Sequence, residues 1–285
     1  MNRKLSIVLG ILILLAVTHH FFKNAPAGIM PFSKIREVRT IEIENMASKD
    51  KFRFIKSSCG WEIITSTNYP ADLRRVRVLA AEIKKLKFET AISFSENKRF
   101  ENNLSSSSAI KLTVSGKKAV SVLIGKQAFD RNHFYAGFEN DKKSYLAGGI
   151  RRELLLTGAD YYRNRRLSSI KEEETSALKI SGGKKTYSVL RSTSGWNFRG
   201  NMPEDFYKVV SYCLNMASSG FYDKNFKATR TIEIIKRDGE NFIWEFGETE
   251  KNKFCARVPG KNGAYTIPTD KAEKIITFLQ KNGTK

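Results

Sequence analysis

Most of the chain falls into short runs whose apolar side chains recur with a period near two. Residues 38–44, 52–55 and 60–64 read as half-buried strands joined by polar connections. The runs 109–114 and 119–124 alternate on either side of Ser115-Gly116-Lys117-Lys118, which predicts a β-hairpin with a glycine in its turn. Residues 134–137 and 144–146 extend this meander across Asn140-Asp141. One stretch keeps a different period. Across residues 70–88, Leu73, Val76, Leu79, Ile83 and Leu86 recur every three or four positions, the apolar stripe of a helix. Pro70 suits the first helical position, and Asp72 complements the positive end of the helix dipole. Arg74, Arg75, Arg77, Lys84, Lys85 and Lys87 occupy the other side, as a solvated face or one able to dock on phosphate.

The pattern then recurs. Gly60-Trp61 returns 135 residues later as Gly195-Trp196, and a second amphipathic stretch, residues 203–216, opens at Pro203. Runs at 177–180 and 186–190 precede it. A hairpin pattern at 231–235 and 242–246 follows, ending in Gly247 as the first ends in Gly125. Ile110 aligns with Ile232 at the same 122-residue offset, and Tyr145 matches Tyr265. Short helices are expected at 152–156 and 272–279. Self-similarity at a nearly fixed offset is the mark of an internal duplication. The expected fold is therefore α+β: two tandem repeats, each an antiparallel sheet with helices packed on one face, preceded by an N-terminal membrane helix. The boundaries read as 1–23 for a signal anchor, 24–36 for a linker, and 37–160 and 161–285 for the repeats. The positions that define the repeat are Gly60, Trp61, Pro70, Asp72, Gly125 and Tyr145, then Gly195, Trp196, Pro203, Gly247 and Tyr265.

The anchor is read from the first residues. Arg3 and Lys4 precede an uncharged apolar run that reaches residue 17, with His19, His20, Phe21, Phe22 and Lys23 behind it. Together residues 5–22 approach the roughly 20 needed to span hydrocarbon, with aromatic residues at one boundary. Ala25-Pro26-Ala27 resembles a cleavage site, but its proline argues for an uncleaved anchor. This predicts a single-pass protein of the inner (cytoplasmic) membrane with most of its chain extracytoplasmic.

Composition adds limits. The 285 residues are 41% hydrophobic and 11% aromatic, as in globular proteins. The formal charge of +21 is spread along the chain, which favours solubility and loose attraction to anionic surfaces. Export removes nucleic acid from the expected partners. Cys59, Cys213 and Cys255 form no CxxC pair. Cys213 falls on an apolar helix face as a small hydrophobe, with a bridge to Cys255 as the alternative.

Candidate chemistry is sparse. His133, beside Asp130, Arg131 and Asn132, is the one histidine outside the leader. No HExxH, GxxxxGK[ST], GxGxxG or GxSxG string occurs. Glu172-Glu173-Glu174 reads as a solvated connector. Trp61, Trp196 and Trp244 read as buried, with a stacking platform for a sugar or peptide as the alternative. No catalytic, cofactor-binding or metal-ligating residue is nominated, and no cofactor is expected.

The Gly60-Trp61 strand, the Pro70-x-Asp72 start and the hairpin ending Ile124-Gly125 form an ordered set. Phe134-Tyr135, Tyr145-Leu146 and the basic bridge Tyr162-Arg163-Asn164-Arg165-Arg166-Leu167 continue it. In these features the chain resembles a bacterial family, domain of unknown function 4340, and departs from it at Asn103-Leu104, where the family tends to Gly-Leu before a proline. The resemblance implies a membrane-anchored, non-catalytic accessory protein with ABC-type transporter subunits as partners, and carries over no catalytic residue. Two other readings stand beside it: a module binding an anionic envelope polymer or lipid headgroups through basic faces, and a hydrolase using His133.

Overall fold

The computed structural model describes residues 28–284, apart from residues 59, 106, 199, 250–252 and 262. The expected anchor, residues 1–23, lies outside the described residues. Among those described, no helix is long and apolar enough to cross a membrane.

The α+β expectation is corrected: the described chain is mostly β, with few helices. Seventeen strands form two large antiparallel sheets. The first comprises β1 (Thr40–Asn45), β2 (Asp50–Ser57), β3 (Gly60–Ile64), β4 (Asn68–Pro70), β5 (Lys87–Ser93), β6 (Ile110–Ser115), β7 (Ala119–Gln127), β8 (Phe134–Phe138) and β9 (Ser144–Gly148), in the order β4-β3-β2-β1-β6-β7-β8-β9-β5. The second comprises β10 (Thr175–Gly182), β11 (Lys185–Ser192), β12 (Gly195–Asn197), β13 (Gly220–Tyr222), β14 (Arg230–Lys236), β15 (Asn241–Glu248), β16 (Phe254–Arg257) and β17 (Ala264–Ile267), in the order β12-β11-β10-β14-β15-β16-β17-β13. Without β4, the two orders are the same.

Alternation explains how each strand faces. On β1, Ile41 and Ile43 are buried opposite Phe54 and Phe52, while Glu42 turns the other way and meets Lys51 and Arg53. One continuous apolar cluster runs through both sheets. Other strands depart from strict alternation. β4, β5 and β13 are short or exposed edge strands, and β16, FCAR, buries its first three residues together.

The duplication extends to single atoms. Gly60 pairs with Ser57 and Gly195 with Ser192, with φ of +127° and +130°. In both places the serine hydroxyl donates to the glycine carbonyl, at 3.1 and 3.2 Å. Trp61 and Trp196 follow opposite basic residues, Lys56 and Arg191. Gly125 and Gly247 share a close approach: a Cβ would stand 2.1 Å from the Asn102 carbonyl oxygen in one and 2.2 Å from that of Lys227 in the other. The register differs from expectation at β6. Leu112 stands opposite Ile43 and Val122, as Ile232 stands opposite Ile180 and Trp244. Leu112, not Ile110, is therefore the counterpart of Ile232, because the second hairpin has the longer turn.

The two helices that follow the Gly-Trp strands are shorter than their apolar stripes suggested, whereas the expected 272–279 helix is longer, Thr269–Asn282. Asp72 is the N-cap of helix Leu73–Lys85, accepting from the Arg74 and Arg75 amides at 3.0 and 3.3 Å. Pro70 belongs to β4 and Phe88 to β5. Val76, Leu79 and Ile83 are buried, whereas Leu73 is exposed. Pro203 likewise precedes helix Phe206–Leu214, whose N-cap is Asp205. Helix Thr269–Asn282 packs on it and on β11. Cys213 and Cys255 are buried free thiols, so no bridge joins them.

Candidate functional site

The basic bridge expected between the repeats is a strap hydrogen-bonded on both sides. On the first-sheet side, the Asp72 amide donates to the Tyr162 carbonyl (2.7 Å) and the Asn164 amide to that of Pro70 (2.8 Å). On the other, the Leu167 and Ile170 amides donate to the carbonyls of Met216 and Leu214, and the Ser218 amide to that of Arg165. Tyr162 is packed against Phe52 and Phe54.

Tyr69, the middle residue of edge strand β4, crosses the seam. Its ring packs against Phe221 and Tyr265 of the second sheet, at 5.1 and 5.7 Å between centroids. Its hydroxyl lies 2.7 Å from Asp223 Oδ1 and 2.9 Å from the Ala264 carbonyl oxygen. The first sheet has a comparable trio built from its own residues, with Tyr145 packed against Phe88 and Phe138. The second trio thus takes its third ring from the other repeat. Burial, with the Asp223 carboxylate beside it, pushes the Tyr69 phenol well above its ordinary range. Burial pushes Tyr265 up to about 12.

Arg163 pins this contact. Its side chain is only 4% exposed, and its guanidinium carbon lies 4.2 Å from the Tyr69 ring centre and 5.0 Å from that of Phe221. Its terminal nitrogens reach Asp160 and Thr65 at 2.7 Å and Asp223 at 3.8 Å. Beside the pin, a groove of about 420 Å³ opens between the sheets. Ser66, Thr67 and Asn68 line one wall, with Asp223, Lys224, Phe226, Arg257 and Lys261 on the other. Arg257 is paired with Glu245 at 3.1 Å and lies over Phe226. Asp223 faces Arg163. Among the described residues, Lys224 and Lys261 have no acidic partner, so the groove carries a surplus of positive charge and suits an anionic group. A cleft of about 480 Å³ near the C-terminal helix has Glu204, Asp205, Asp270 and Glu273 in its lining and belongs to the second sheet alone.

The other nominated features are dispersed. His133 Nδ1 bonds Asp130, and Nε2 lies 3.2 Å from Glu89. Among the described residues, no hydroxyl or thiol hydrogen-bonds its ring. The Asp130 carboxylate raises the imidazole above its ordinary value. Trp196 and Trp244 are buried, donating to Glu172 Oε1 and to the Cys213 carbonyl, so neither offers a stacking face. Trp61 is half-buried against the core. Tyr265 and Pro70 lie at the seam; Gly125, Gly247, Tyr145 and the two Gly-Trp positions do not. Neither Tyr69 nor Asp223 stands out in the sequence as functional, since the two meet across 154 residues of chain.

The family described as Domain of unknown function (DUF4340) matches residues 61–233, from Trp61 on β3 to Glu233 on β14. That is well over half of the chain. The chain belongs to the DUF4340 family. The DUF4340 segment takes in Tyr69, the strap with Arg163, and Asp223, and ends before Arg257 and Lys261. No curated protein and no solved structure matches the chain.

Proposed function

We propose that this DUF4340 protein is a non-catalytic accessory protein, held at the inner membrane by its apolar residues 5–22 with its two sheets outside the cytoplasm. It acts by presenting those sheets to a partner complex. The observation that carries this reading is the seam: strap, Tyr69 and Arg163 join the repeats into one shared core, a shape suited to docking as a unit. The leader pattern supports the location, and the family resemblance names ABC-type transport subunits as the partner class. Detergent extraction and co-purification of the full-length chain test it. Membrane fractionation with transporter subunits in stoichiometric yield is expected. Recovery of the full chain in the soluble fraction, alone, would end the reading.

A second reading is favoured by the groove beside Asp223, in which Lys224 and Lys261 hold an anionic group of an envelope polymer. Binding of a short polyphosphate should then weaken steeply with salt. It should drop several-fold in the Lys224→Ala, Lys261→Ala double variant; equal binding by both proteins would remove this role.

A further inference from the structure

We propose that one edge of the first sheet, around Ile92, Phe94 and Phe100, lies in the interfacial layer of the lipid bilayer. The inference rests on the anchored reading above and adds which face meets the lipid. Its starting point is a pair of backbone bonds. The Ile29 amide donates to the Phe88 carbonyl at 2.8 Å, and the Phe88 amide to that of Ile29 at 2.7 Å, an antiparallel bridge on the outer side of edge strand β5. Because the bridge is antiparallel, Gly28 lies on the side of Ile29 nearer the far end of β5, where Ile92 and Phe94 lie. Five residues, 23–27, separate the apolar run from Gly28. The six steps from residue 22 to Gly28, at about 3.4 Å each, reach no further than roughly 20 Å. The β5 edge is therefore held close to the bilayer surface.

That edge carries large apolar side chains facing solvent. Phe94 is 66% exposed and Phe100 70%, with Ile92 at 43%. Ile29 and Met30 add two more along the same edge. The charges around them are largely paired or committed. Lys98 meets Glu101, Lys142 meets Glu96, and Arg99 donates to the carbonyls of Phe138 and Lys143. The Lys143 ammonium lies 5.5 Å from the Phe94 ring centre, a cation beside an exposed aromatic face. Exposed aromatic rings with lysines beside them match the boundary between acyl chains and headgroups. With Lys98 and Lys142 paired and Arg99 bonded to carbonyls, attachment there draws chiefly on apolar burial, and salt does little to it.

The test uses the full-length chain in phosphatidylcholine vesicles, with Cys59 replaced by Ser. An environment-sensitive fluorophore is attached in turn through Phe94→Cys, Phe100→Cys and, on the second sheet, Ser188→Cys. Labels at 94 and 100 should be blue-shifted and quenched by lipid-borne nitroxide several-fold more than the label at 188, at low and high salt alike. Equal access of aqueous iodide to all three labels on vesicle-bound protein would overturn the inference and leave the anchored reading standing. Failure of the chain to associate with vesicles would overturn both. Shielding at 94 and 100 that grows with protein density at fixed lipid would assign the face to a second copy and likewise overturn the inference.

Discussion

Tyr69 bonds and packs across the seam, and its hydroxyl can be removed cleanly. It has one proton and three nearby acceptors, of which the Asp223 carboxylate is closest. Tyr69→Phe keeps the ring contacts and loses a charge-assisted hydrogen bond, so urea denaturation should show a loss of about 1.5–3 kcal/mol. Arg163→Met removes the bonds to Asp160 and Thr65 and the cation over two rings, and should cost about 1–3 kcal/mol. Arg163→Lys should not restore the loss, because a point charge cannot reach Asp160, Thr65 and Asp223 from a plane stacked on two rings. His133 makes a pH prediction. Its folded value is raised, so its stabilising contribution is complete below the unfolded value, about 6.5, and fades as pH rises through the folded one. His133→Ala should flatten the stability profile over that window, and an imidazole NMR titration should find a midpoint above 6.5. The Gly-Trp positions were legible in the sequence because the residues that shape them are near neighbours. Tyr69 was not, because nothing beside it announces Asp223 or Ala264.

Among elements, long strands with strict alternation and the helix with a wide apolar stripe were readable. β4, β5, β13 and β16 were not, and their omission turned a mostly β protein into an expected α+β one. Edge strands keep one side in solvent, which dilutes alternation, and Pro70 reads as a helix start as readily as the end of a strand. Helix length was overread for a related reason: Leu86 and Phe88 continue the apolar spacing although the chain has already left the helix. Glycine substitutions test the element packing. Gly125→Ala and Gly247→Ala drive a methyl into the carbonyls of Asn102 and Lys227 and should both destabilise by more than 1 kcal/mol. Gly158, with φ of −66° and no atom within 4 Å of an added Cβ, is the control. Gly158→Ala should be neutral or stabilising by about 0.4–1 kcal/mol.

For the whole molecule, duplication did not produce two beads on a string. The second sheet's aromatic trio is completed by the first sheet's Tyr69, and the strap gives its backbone bonds to both sides. The duplication itself was visible in the sequence as paired offsets. The interlock was not, since it depends on contacts between residues in different repeats that follow no period. The direct test is equilibrium unfolding followed separately in each sheet, with Trp61 as the sole tryptophan in one variant and Trp244 in another. One interlocked body predicts coincident midpoints that Tyr69→Phe lowers together. Two separated midpoints, with Tyr69→Phe shifting one or neither, would contradict it.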